Sequence, residues 1–334
     1  MEKITILGAG SWGSALARIL GDNGHDVILF DTDQATIDEI NLYHTNVKKL
    51  PIGCLPDNVS GTTSMSEALK DSTIVLISVP TKVIRGVLKE VNNHLSSKKL
   101  FVNASKGLEP DTFKRVSQIV EEEINQEYCE GFVCLTGPSH AEEVIEQLLT
   151  AVTAASLNIV HARRIQQIFS NQTYFRVYTQ NDLVGAELGG SLKNIYAIAS
   201  GMLHGLGYGD NARAALITRA LSEMRKLAVA MGATESTLSG LTGVGDLVVT
   251  TTSFHSRNFQ AGVEMAKGKN LEETINNMSM VVEGARTCIS AYHAAKFYNV
   301  ETPIIDAVYE VIYLHTPVIE AIKKIMTRSL KDED

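Results

Sequence analysis

The sequence of 334 residues predicts an α/β protein, with a doubly wound, mostly parallel sheet in its first half and an all-helical second domain. The first half alternates short β-branched apolar runs with amphipathic stretches, and beyond residue 183 only helical periodicity remains. Strands that alternate with helices are typical of βαβ units, which build parallel sheets covered by helices. We therefore expect two domains, residues 1–182 and residues 183–334, as the chain length also suggests.

The apolar runs of the first half predict strands bounded by turn residues. They are Lys3–Leu7, Asp26–Phe30, Thr73–Val79, Leu100–Ala104, Phe132–Thr136, Ala151–Ala155 and Phe175–Tyr178. Helices are predicted between them at Ser14–Asn23, from Thr36 to Asn41, at Val83–Leu95 and at Phe113–Ile124. Ligands of such sheets bind beyond the carboxyl ends of the strands. The strand ends followed by polar or glycine-rich residues are Leu7, Val79, Ala104 and Thr136.

The second domain is predicted from apolar residues at helical spacing, without the alternation that is typical of strands. The helical stretches are Gly185–Ala199, Ala212–Met231, Asn258–Lys267, Gly284–Tyr298 and Thr302–Tyr313. No proline- or serine-rich linker precedes them. We therefore expect the two domains to pack closely.

Composition and charge exclude several classes of function. The formal net charge is −8, from 30 basic and 38 acidic residues, with no dense lysine or arginine cluster. This balance argues against a nucleic-acid partner, which usually meets a basic face. The first residues lead directly into a strand, and no apolar run reaches the ~20 residues that cross a bilayer. We expect no signal peptide, no membrane insertion, a cytoplasmic location and, without metal-ligand spacings, no metal.

The turn after the first strand, Gly8-Ala9-Gly10-Ser11-Trp12-Gly13, has the pattern GxGxxG and opens a helix. In dinucleotide sites such glycines allow a tight turn and close approach of the pyrophosphate, and the helix N-terminus offers free N–H groups. The pattern alone could also be a plain turn. Its place between a strand and a helix favours a Rossmann-type dinucleotide site that contains Gly8, Gly10 and Gly13.

An acidic residue follows the second strand. Asp31 comes directly after the apolar run, where a carboxylate can accept hydrogen bonds from the adenosine ribose and repel the extra phosphate of NADP. No arginine stands beside it in the sequence. The sequence therefore predicts a preference for NAD, with NADP possible. Alternatively, Asp31 or Asp33 only caps the next helix, and Asp33 suits that role better.

Three segments carry groups that could serve a hydride transfer, which needs a proton donor for the developing oxyanion. The first contains Lys106 at a strand end, and the second contains Lys193 among small and apolar residues, where burial would lower its pKa. The third runs from Asp246 to Arg257, which can bind an anion. Each residue has an alternative role. Lys106 could be a solvated loop lysine, and Lys193 could extend to solvent from an apolar helix. Asp246 could be a helix cap, and Arg257 could form a surface ion pair. Their joint presence after a dinucleotide loop favours chemistry.

Histidine is the other common acid–base residue of dehydrogenases. The chain has nine, among them His140 and His204. His140 follows Gly137-Pro138-Ser139 near a predicted strand end, but the sequence identifies no partner for it. We therefore assign no histidine a direct role.

Together these motifs resemble bacterial-type NAD(P)-dependent glycerol-3-phosphate dehydrogenases over essentially the whole chain. Besides the glycine loop, the resembling segments are Ser105–Gly107, Thr136–Ser139, Leu188–Asn194, Gly209–Arg213, Gly243–Leu247, Ser256–Asn258 and Val281-Val282-Glu283-Gly284. The later motifs are far more specific than the glycine loop. The resemblance implies interconversion of dihydroxyacetone phosphate and sn-glycerol 3-phosphate, which supplies phospholipid synthesis.

The resemblance also implies roles for individual residues. Lys193 matches the family's catalytic lysine, which donates a proton to the carbonyl oxygen in reduction and accepts it in oxidation. The positions that match substrate contacts are Lys106, Gly137, Ser139, Asp246, Ser256, Arg257 and Asn258. The positions that match cofactor contacts are Ser11, Trp12, Lys106, Ala141, Arg257, Val281 and Glu283. We also expect Asp246 to hold Lys193 in place.

One position departs from the family pattern. Many members have glycine followed by arginine or histidine after the second strand, whereas this chain has Asp31 and Thr32. This difference again predicts NAD preference. The rival interpretations are another hydroxyacid dehydrogenase with a lysine acid, of the 3-hydroxyacid or 6-phosphogluconate type, and a noncatalytic NAD-sensing protein. The apolar helical faces and the resemblance make a homodimer possible.

Overall fold

The computed structural model describes residues 1–110, 112–278, 282–330 and 332–333. Within these ranges eight strands form one sheet, in the spatial order three-two-one-four-five-six-seven-eight. They are β1 (Lys3–Leu7), β2 (Asp26–Phe30), β3 (Val59–Thr62), β4 (Ile74–Ile77), β5 (Lys99–Asn103), β6 (Cys129–Thr136), β7 (Thr150–Ala155) and β8 (Phe175–Gln180). All neighbours are parallel except β6 and β7, so the prediction of a mostly parallel sheet is confirmed.

The last two strands reverse the direction of the sheet. β7 is antiparallel to β6, with Thr136 opposite Thr153 and Cys134 opposite Ala155. β8 is parallel to β7. The carboxyl ends of the first six strands therefore lie along one side of the sheet, and the carboxyl end of β8 lies along the opposite side.

Helices cover both faces of this sheet. They are α1 (Ser11–Asp22), α2 (Gln34–Tyr43), α3 (Met65–Leu69), α4 (Thr81–His94), α5 (Val116–Glu123), α6 (Ala141–Ile145) and α7 (Ile159–Phe169). Successive residues of β1 enter different apolar cores, Ile6 the one that includes α1 and Leu7 the one that includes α4. Every residue of β4 is buried, as expected for a strand covered on both faces.

The structure corrects several predicted elements of this half. β3 was not predicted, because Val-Ser-Gly-Thr has a single large apolar residue and lies at the sheet edge, paired only with β2. α3, α6 and α7 were also missed. α5 begins at Val116 rather than at Phe113, whose φ of 49° cannot continue a helix. The strand predicted at Thr73–Val79 is regular only over Ile74–Ile77.

The rest of the described chain is helical, as predicted. It contains α8 (Leu183–Gly205), α9 (Asp210–Ala230), α10 (Asp246–Thr252), α11 (Arg257–Ala266), α12 (Leu271–Met278), α13 (Glu283–Phe297), α14 (Pro303–Tyr313) and α15 (Val318–Met326). α8 is the central helix, buried from Leu183 to Met202 except at Val184, and α9, α10, α11, α13 and α14 pack against it. α10, α12 and α15 were not predicted. Among the helices of the described residues, none has both the length and the apolar character that a bilayer span needs.

A buried carboxylate joins two helices of this part. Glu223 of α9 accepts hydrogen bonds from the backbone N–H groups of Ile304 and Ile305, each at 2.9 Å. These N–H groups belong to the first turn of α14, where no intrahelical acceptor exists. Burial raises the pKa of Glu223 to about 7, against the opposing effect of these two hydrogen bonds.

We expect Glu223→Ala to lower the free energy of unfolding by about 2 kcal/mol, because two buried helix donors lose their acceptor. Urea unfolding measures this loss. Since the folded state binds this proton more tightly than the unfolded state, wild-type stability should fall between pH 4.5 and about 7, and the variant should lack that part of the pH dependence. The exposed Glu235→Ala is the control. Equal unfolding midpoints for both variants would contradict the capping role.

Candidate active site

The glycine-rich turn after β1 has the shape of a phosphate cradle. Gly8 has a φ of 106°, a conformation that side-chain-bearing residues rarely adopt. A Cβ on Gly13 would overlap the carbonyl oxygen of Gly8, whereas a Cβ built on Gly10 would have no described heavy atom within 4 Å beyond its chain neighbours. The turn therefore packs tightly on the strand and leaves open space before the N-terminus of α1. These features fit the pyrophosphate of a dinucleotide.

Asp31 lies directly beside this turn. Its carboxylate accepts hydrogen bonds from the backbone N–H groups of Ala9 at 2.9 Å and of Asp33 at 3.1 Å. Asp33 in turn caps α2 by accepting from the N–H of Ala35, so the capping interpretation holds for Asp33. The structure also brings the exposed ammonium of Lys48 to 3.6 Å from Asp33, a cation that sequence proximity did not place here.

Three further predicted cofactor residues lie on short polar turns or helix starts. The Ser11 hydroxyl donates to the carbonyl oxygen of Lys49 at 2.5 Å, which fastens the loop after α2 to the glycine turn. Trp12 packs against the apolar core, and its buried indole N–H has no hydrogen-bond partner among the described residues. Ala141 is buried at the start of α6.

The centre of the site is a buried carboxylate between two lysines. Asp246, fully buried, accepts from Lys193 through one oxygen and from Lys106 through the other, the latter at 3.1 Å. Lys193 also donates to the hydroxyl of Thr250 at 2.8 Å, and Lys106 donates to the carbonyl oxygen of Gly137 at 3.1 Å. Two lysine amines thus share one carboxylate, so the group has a net positive charge when both amines are protonated, which favours an anionic ligand.

Burial is the largest influence on the pKa of Lys193. It lowers the pKa, the Asp246 carboxylate opposes this effect, and the neighbouring Lys106 ammonium lowers the pKa further, to about 7. The side chain is almost wholly removed from solvent. Lys193 is therefore not a surface lysine that extends to water. Its amine can hold or release a proton near neutral pH.

Local backbone features bring Asp246 to this position. Asp246 is the first residue of α10, and the preceding residues Leu241–Gly245 form a π-helical turn, a feature frequent at functional sites. A Cβ on Gly243 would overlap the carbonyl of Leu238, so only glycine allows the turn to close. Thr250 stands one helical turn after Asp246, on the same face of α10.

The turn after β6 contributes the next groups. The carbonyl oxygen of Gly137 accepts from both Lys106 and the hydroxyl of Ser139, the latter at 3.0 Å. His140, to which no role was assigned from sequence, lies beside the lysines. Burial lowers its pKa, and the positive charge of Lys193 adds to this effect. The neutral imidazole is thus favoured beside the ammonium groups.

The Ser256–Asn258 segment opens α11. The buried Ser256 hydroxyl caps the helix by accepting from the N–H of Phe259 at 3.2 Å, which leaves its proton free to donate. Arg257 is exposed, and its guanidinium makes no hydrogen bond or ion pair with any group that the structure describes. The predicted alternative of a surface ion pair is therefore wrong within that part of the chain. The free guanidinium at a helix N-terminus favours an anion.

Asn258 is engaged in helix packing. Its amide N–H donates to the side-chain oxygen of Asn194 on α8 at 3.0 Å, and its carbonyl accepts from the N–H of Gly284 on α13 at 2.8 Å. One amide N–H remains for a ligand. Asn258 therefore connects three helices around the site, a role that the sequence motif did not reveal.

Glu283 brings the C-terminal helices to the carboxyl end of β4. One carboxylate oxygen accepts from the hydroxyl of Thr81 at 2.9 Å, and the other is buried without a described partner. Burial raises the pKa of Glu283, while the Thr81 hydrogen bond lowers it. Val281, also predicted as a cofactor contact, lies outside the described residues.

The structure thus brings most of the predicted residues to one edge of the sheet. Lys106, Gly137, Ser139, Lys193 and Asp246 form one connected hydrogen-bonded group. Sequence reasoning missed Thr81 and Thr250. The spacing of four residues from Asp246 was the signal for Thr250, and the strand end before Pro80 was the signal for Thr81.

A dinucleotide cradle and a buried lysine–carboxylate–lysine group, at one edge of a doubly wound sheet, define a dinucleotide-dependent oxidoreductase of two parts. Residues 3–162 match the family model described as the N-terminus of NAD-dependent glycerol-3-phosphate dehydrogenase, and residues 182–323 match the model of its C-terminus. The chain belongs to this family of NAD(P)-dependent dehydrogenases. The resemblance inferred from the motifs is confirmed.

Individual relatives match this chain over nearly its whole length. A glycerol-3-phosphate dehydrogenase [NAD(P)+] from Enterococcus faecalis is 49% identical over 333 residues, which cover 100% of this chain and 98% of the relative. One from Geobacillus kaustophilus is 51% identical over 333 residues, covering 100% of this chain and 96% of the relative. The crystal structure of glycerol-3-phosphate dehydrogenase from Coxiella burnetii has a TM-score of 0.93 at 33% identity and covers 98% of this chain and 99% of that chain.

Proposed function

We propose that the chain interconverts dihydroxyacetone phosphate and sn-glycerol 3-phosphate, with Lys193 as the general acid and base. The observation that supports this most is the contact of Lys193 with Asp246, buried beside Lys106 at the end of the sheet that also carries the glycine turn. When bound, the nicotinamide supplies or accepts the hydride. The protein supplies the proton and the charged surroundings.

Lys193 would donate its proton to the carbonyl oxygen as charge develops there, and would recover it in the reverse direction. A pKa near 7 suits both directions, because each protonation state is populated at neutral pH. Asp246 orients the ammonium, and Lys106 would stabilise the oxyanion and the substrate phosphate. The Thr250 hydroxyl fixes the direction of the lysine amine.

The substrate phosphate would bind near the start of α11. Arg257 offers a guanidinium that is unpaired among the described residues, Ser256 a hydroxyl proton and Asn258 one remaining amide N–H. Gly137 and Ser139 would complete the substrate pocket beside Lys106. Together these groups can bind a small anionic molecule in one orientation.

The cofactor would lie along the carboxyl ends of the strands. Its pyrophosphate would meet the backbone of Gly8, Gly10 and Gly13 with Ser11 and Trp12, and its adenosine ribose would meet Asp31. Lys106, Ala141, Arg257, Val281 and Glu283 would contact the remainder. The open space before α1 supports this placement.

The direct test is oxidation of NADH and NADPH by the purified protein with dihydroxyacetone phosphate. Turnover of dihydroxyacetone phosphate, without turnover of a 3-hydroxyacid or of 6-phosphogluconate, supports the assignment. Absence of turnover in folded, cofactor-bound protein would overturn it and would favour a rival hydroxyacid or NAD-sensing role. Faster oxidation of NADPH than of NADH would overturn the NAD preference alone.

We expect Asp31→Asn to raise the ratio of kcat/KM for NADPH to that for NADH at least about tenfold, because a negative charge beside the 2′-phosphate is removed. Steady-state rates with both cofactors at low salt measure this ratio. The ammonium of Lys48, which lies 3.6 Å from the Asp33 carboxylate, would then also attract the 2′-phosphate. The matched Asp38→Asn variant on the outer face of α2 should leave the ratio unchanged. An unchanged ratio in Asp31→Asn would show that this carboxylate does not select the cofactor.

We propose, with this function, a division into two domains, a homodimer and a cytoplasmic location. The division into a dinucleotide-binding domain, residues 1–182, and a helical substrate domain, residues 183–334, is supported by the end of β8 at Gln180 and the start of α8 at Leu183. A homodimer is proposed with it, and so is a cytoplasmic role in supplying glycerol phosphate for phospholipids. The cytoplasmic location is favoured because charged phosphorylated substrates do not cross a bilayer unaided. Sedimentation and cell fractionation test these two points.

A further inference from the structure

Thr81 and Glu283 meet across the two halves of the molecule. Thr81 is the first residue of α4, directly beyond the carboxyl end of β4, and Glu283 is the first residue of α13. Their hydrogen bond of 2.9 Å joins residues 202 positions apart. Thr81 is 2% exposed. The contact is therefore held in a closely packed environment and not on a mobile surface.

Gly107 packs against this contact. A Cβ on Gly107 would lie 2.9 Å from the methyl group of Thr81 and 3.4 Å from the bonded oxygen of Glu283. The N–H of Gly107 donates to the Ser191 hydroxyl on α8 at 3.0 Å. Because Gly107 directly follows Lys106, the Thr81–Glu283 pair adjoins the lysine–carboxylate centre.

The two oxygens of Glu283 differ. One accepts from Thr81, and the other is buried and finds no partner in the described part of the chain. A buried acceptor without a partner carries a desolvation cost, which a donor on a ligand would remove. The bond to Thr81 fixes the carboxylate so that one oxygen is left for such a donor.

The order of the strands indicates which part of the cofactor this oxygen would face. Asp31 follows β2, the glycine turn follows β1, the Thr81–Glu283 pair follows β4 and Lys106 follows β5, and these strands are neighbours in that order. With adenosine at β2 and pyrophosphate at β1, the nicotinamide half must extend toward β4 to reach a substrate near Lys106.

We propose that Thr81 is a positioning residue for the nicotinamide half of the cofactor. Its hydroxyl orients Glu283, whose free oxygen accepts a hydrogen bond from a ribose hydroxyl or an amide N–H of the nicotinamide riboside. This inference rests on the proposed role of Glu283 as a cofactor contact, and adds to it a residue that acts only through Glu283.

The test compares Thr81→Val, which keeps the shape but loses the donor, with Thr81→Ser, which keeps the donor. Trp12 is the single tryptophan and stands in the glycine turn, so energy transfer to bound NADH reports binding without turnover. We expect Thr81→Val to raise the Kd for NADH about tenfold. The Kd for ADP-ribose, which lacks nicotinamide, should change less than twofold, and Thr81→Ser should stay within twofold of wild type for both ligands.

A second arm uses the Glu283→Ala background. If Thr81 acts through Glu283, adding Thr81→Val there should not weaken NADH binding further. Equal weakening of NADH and ADP-ribose, or an unchanged NADH affinity in Thr81→Val, would overturn the positioning role. The serine variant keeps the test valid if the valine variant fails to fold. Absence of NADH binding by the wild-type protein would instead overturn the proposed cofactor site itself.

Discussion

Lys193→Met should lose about a thousandfold in kcat for reduction of dihydroxyacetone phosphate while it keeps its affinity for NADH. The substitution preserves an unbranched apolar side chain but removes the proton donor, and positioned acid–base groups contribute about a hundred- to ten-thousandfold. Lys193 bonds to Asp246 and Thr250, which belong to α10 and not to the glycine turn. The rate of NADH oxidation and the Kd for NADH measure the two effects separately.

The exposed Lys226 on α9 provides the control, since Lys226→Met makes the same chemical change on the surface of the protein. Its kcat should equal that of the wild type. A Lys193→Met enzyme that retained more than about a tenth of wild-type kcat would exclude Lys193 as the principal acid, because a general acid contributes at least about a hundredfold.

The same lysine should set the direction of the pH dependence. Reduction requires the protonated amine, so kcat for reduction should fall as the pH rises through about 7. Oxidation requires the neutral amine, so its kcat should fall as the pH drops through the same range. The residual activity of Lys193→Met should show neither of these two pH dependences.

Asp246→Asn has the second largest expected effect, a loss of at least about a hundredfold in kcat/KM for reduction at neutral pH. The carboxylate raises the pKa of Lys193 against the effects of burial and of Lys106. Without it the amine is mostly neutral and cannot donate a proton. Lys106 and Lys193 also lose the carboxylate that they share, which should lower the free energy of unfolding by about 3 kcal/mol.

Activity at two pH values and urea unfolding separate these effects. Lowering the pH should restore part of the reductase activity of Asp246→Asn, because it protonates Lys193, whereas the stability loss should remain. Asp57→Asn, at a fully exposed carboxylate, is the matched control and should change neither quantity. Near-wild-type turnover in Asp246→Asn would show that the carboxylate does not hold the lysine for catalysis.

The fold was predictable where side-chain periodicity is strong. Apolar runs such as Ile74–Ile77 are buried on both faces, and the pattern directly reflects this. β3 was not predictable, because its place in the sheet comes from pairing with β2 and not from its own composition. The reversal at β7 also depends on pairing, since strands of either direction have the same local pattern.

The site was predictable as a set of residue types and not as a set of contacts. Lys193 and Asp246 are 53 residues apart, and their meeting depends on the packing of α10 against α8. The use of Asn258 to connect three helices, and of Thr81 to hold Glu283, likewise arises only from tertiary structure. The family motif predicts the residues of the candidate site, and the structure supplies their partners.

The reversed strands determine how the chain delivers Lys193 to the site. Since β8 ends at the edge away from the glycine turn, α8 starts there and runs back along β6, with Ala186 packed near Cys134 and Gly190 close to Thr136. Lys193 lies ten positions after Leu183, a rise of about 15 Å, which brings the lysine just past the strand end. One inserted residue would turn it about 100° away from Asp246. The number of residues in this segment therefore matters as much as their identity.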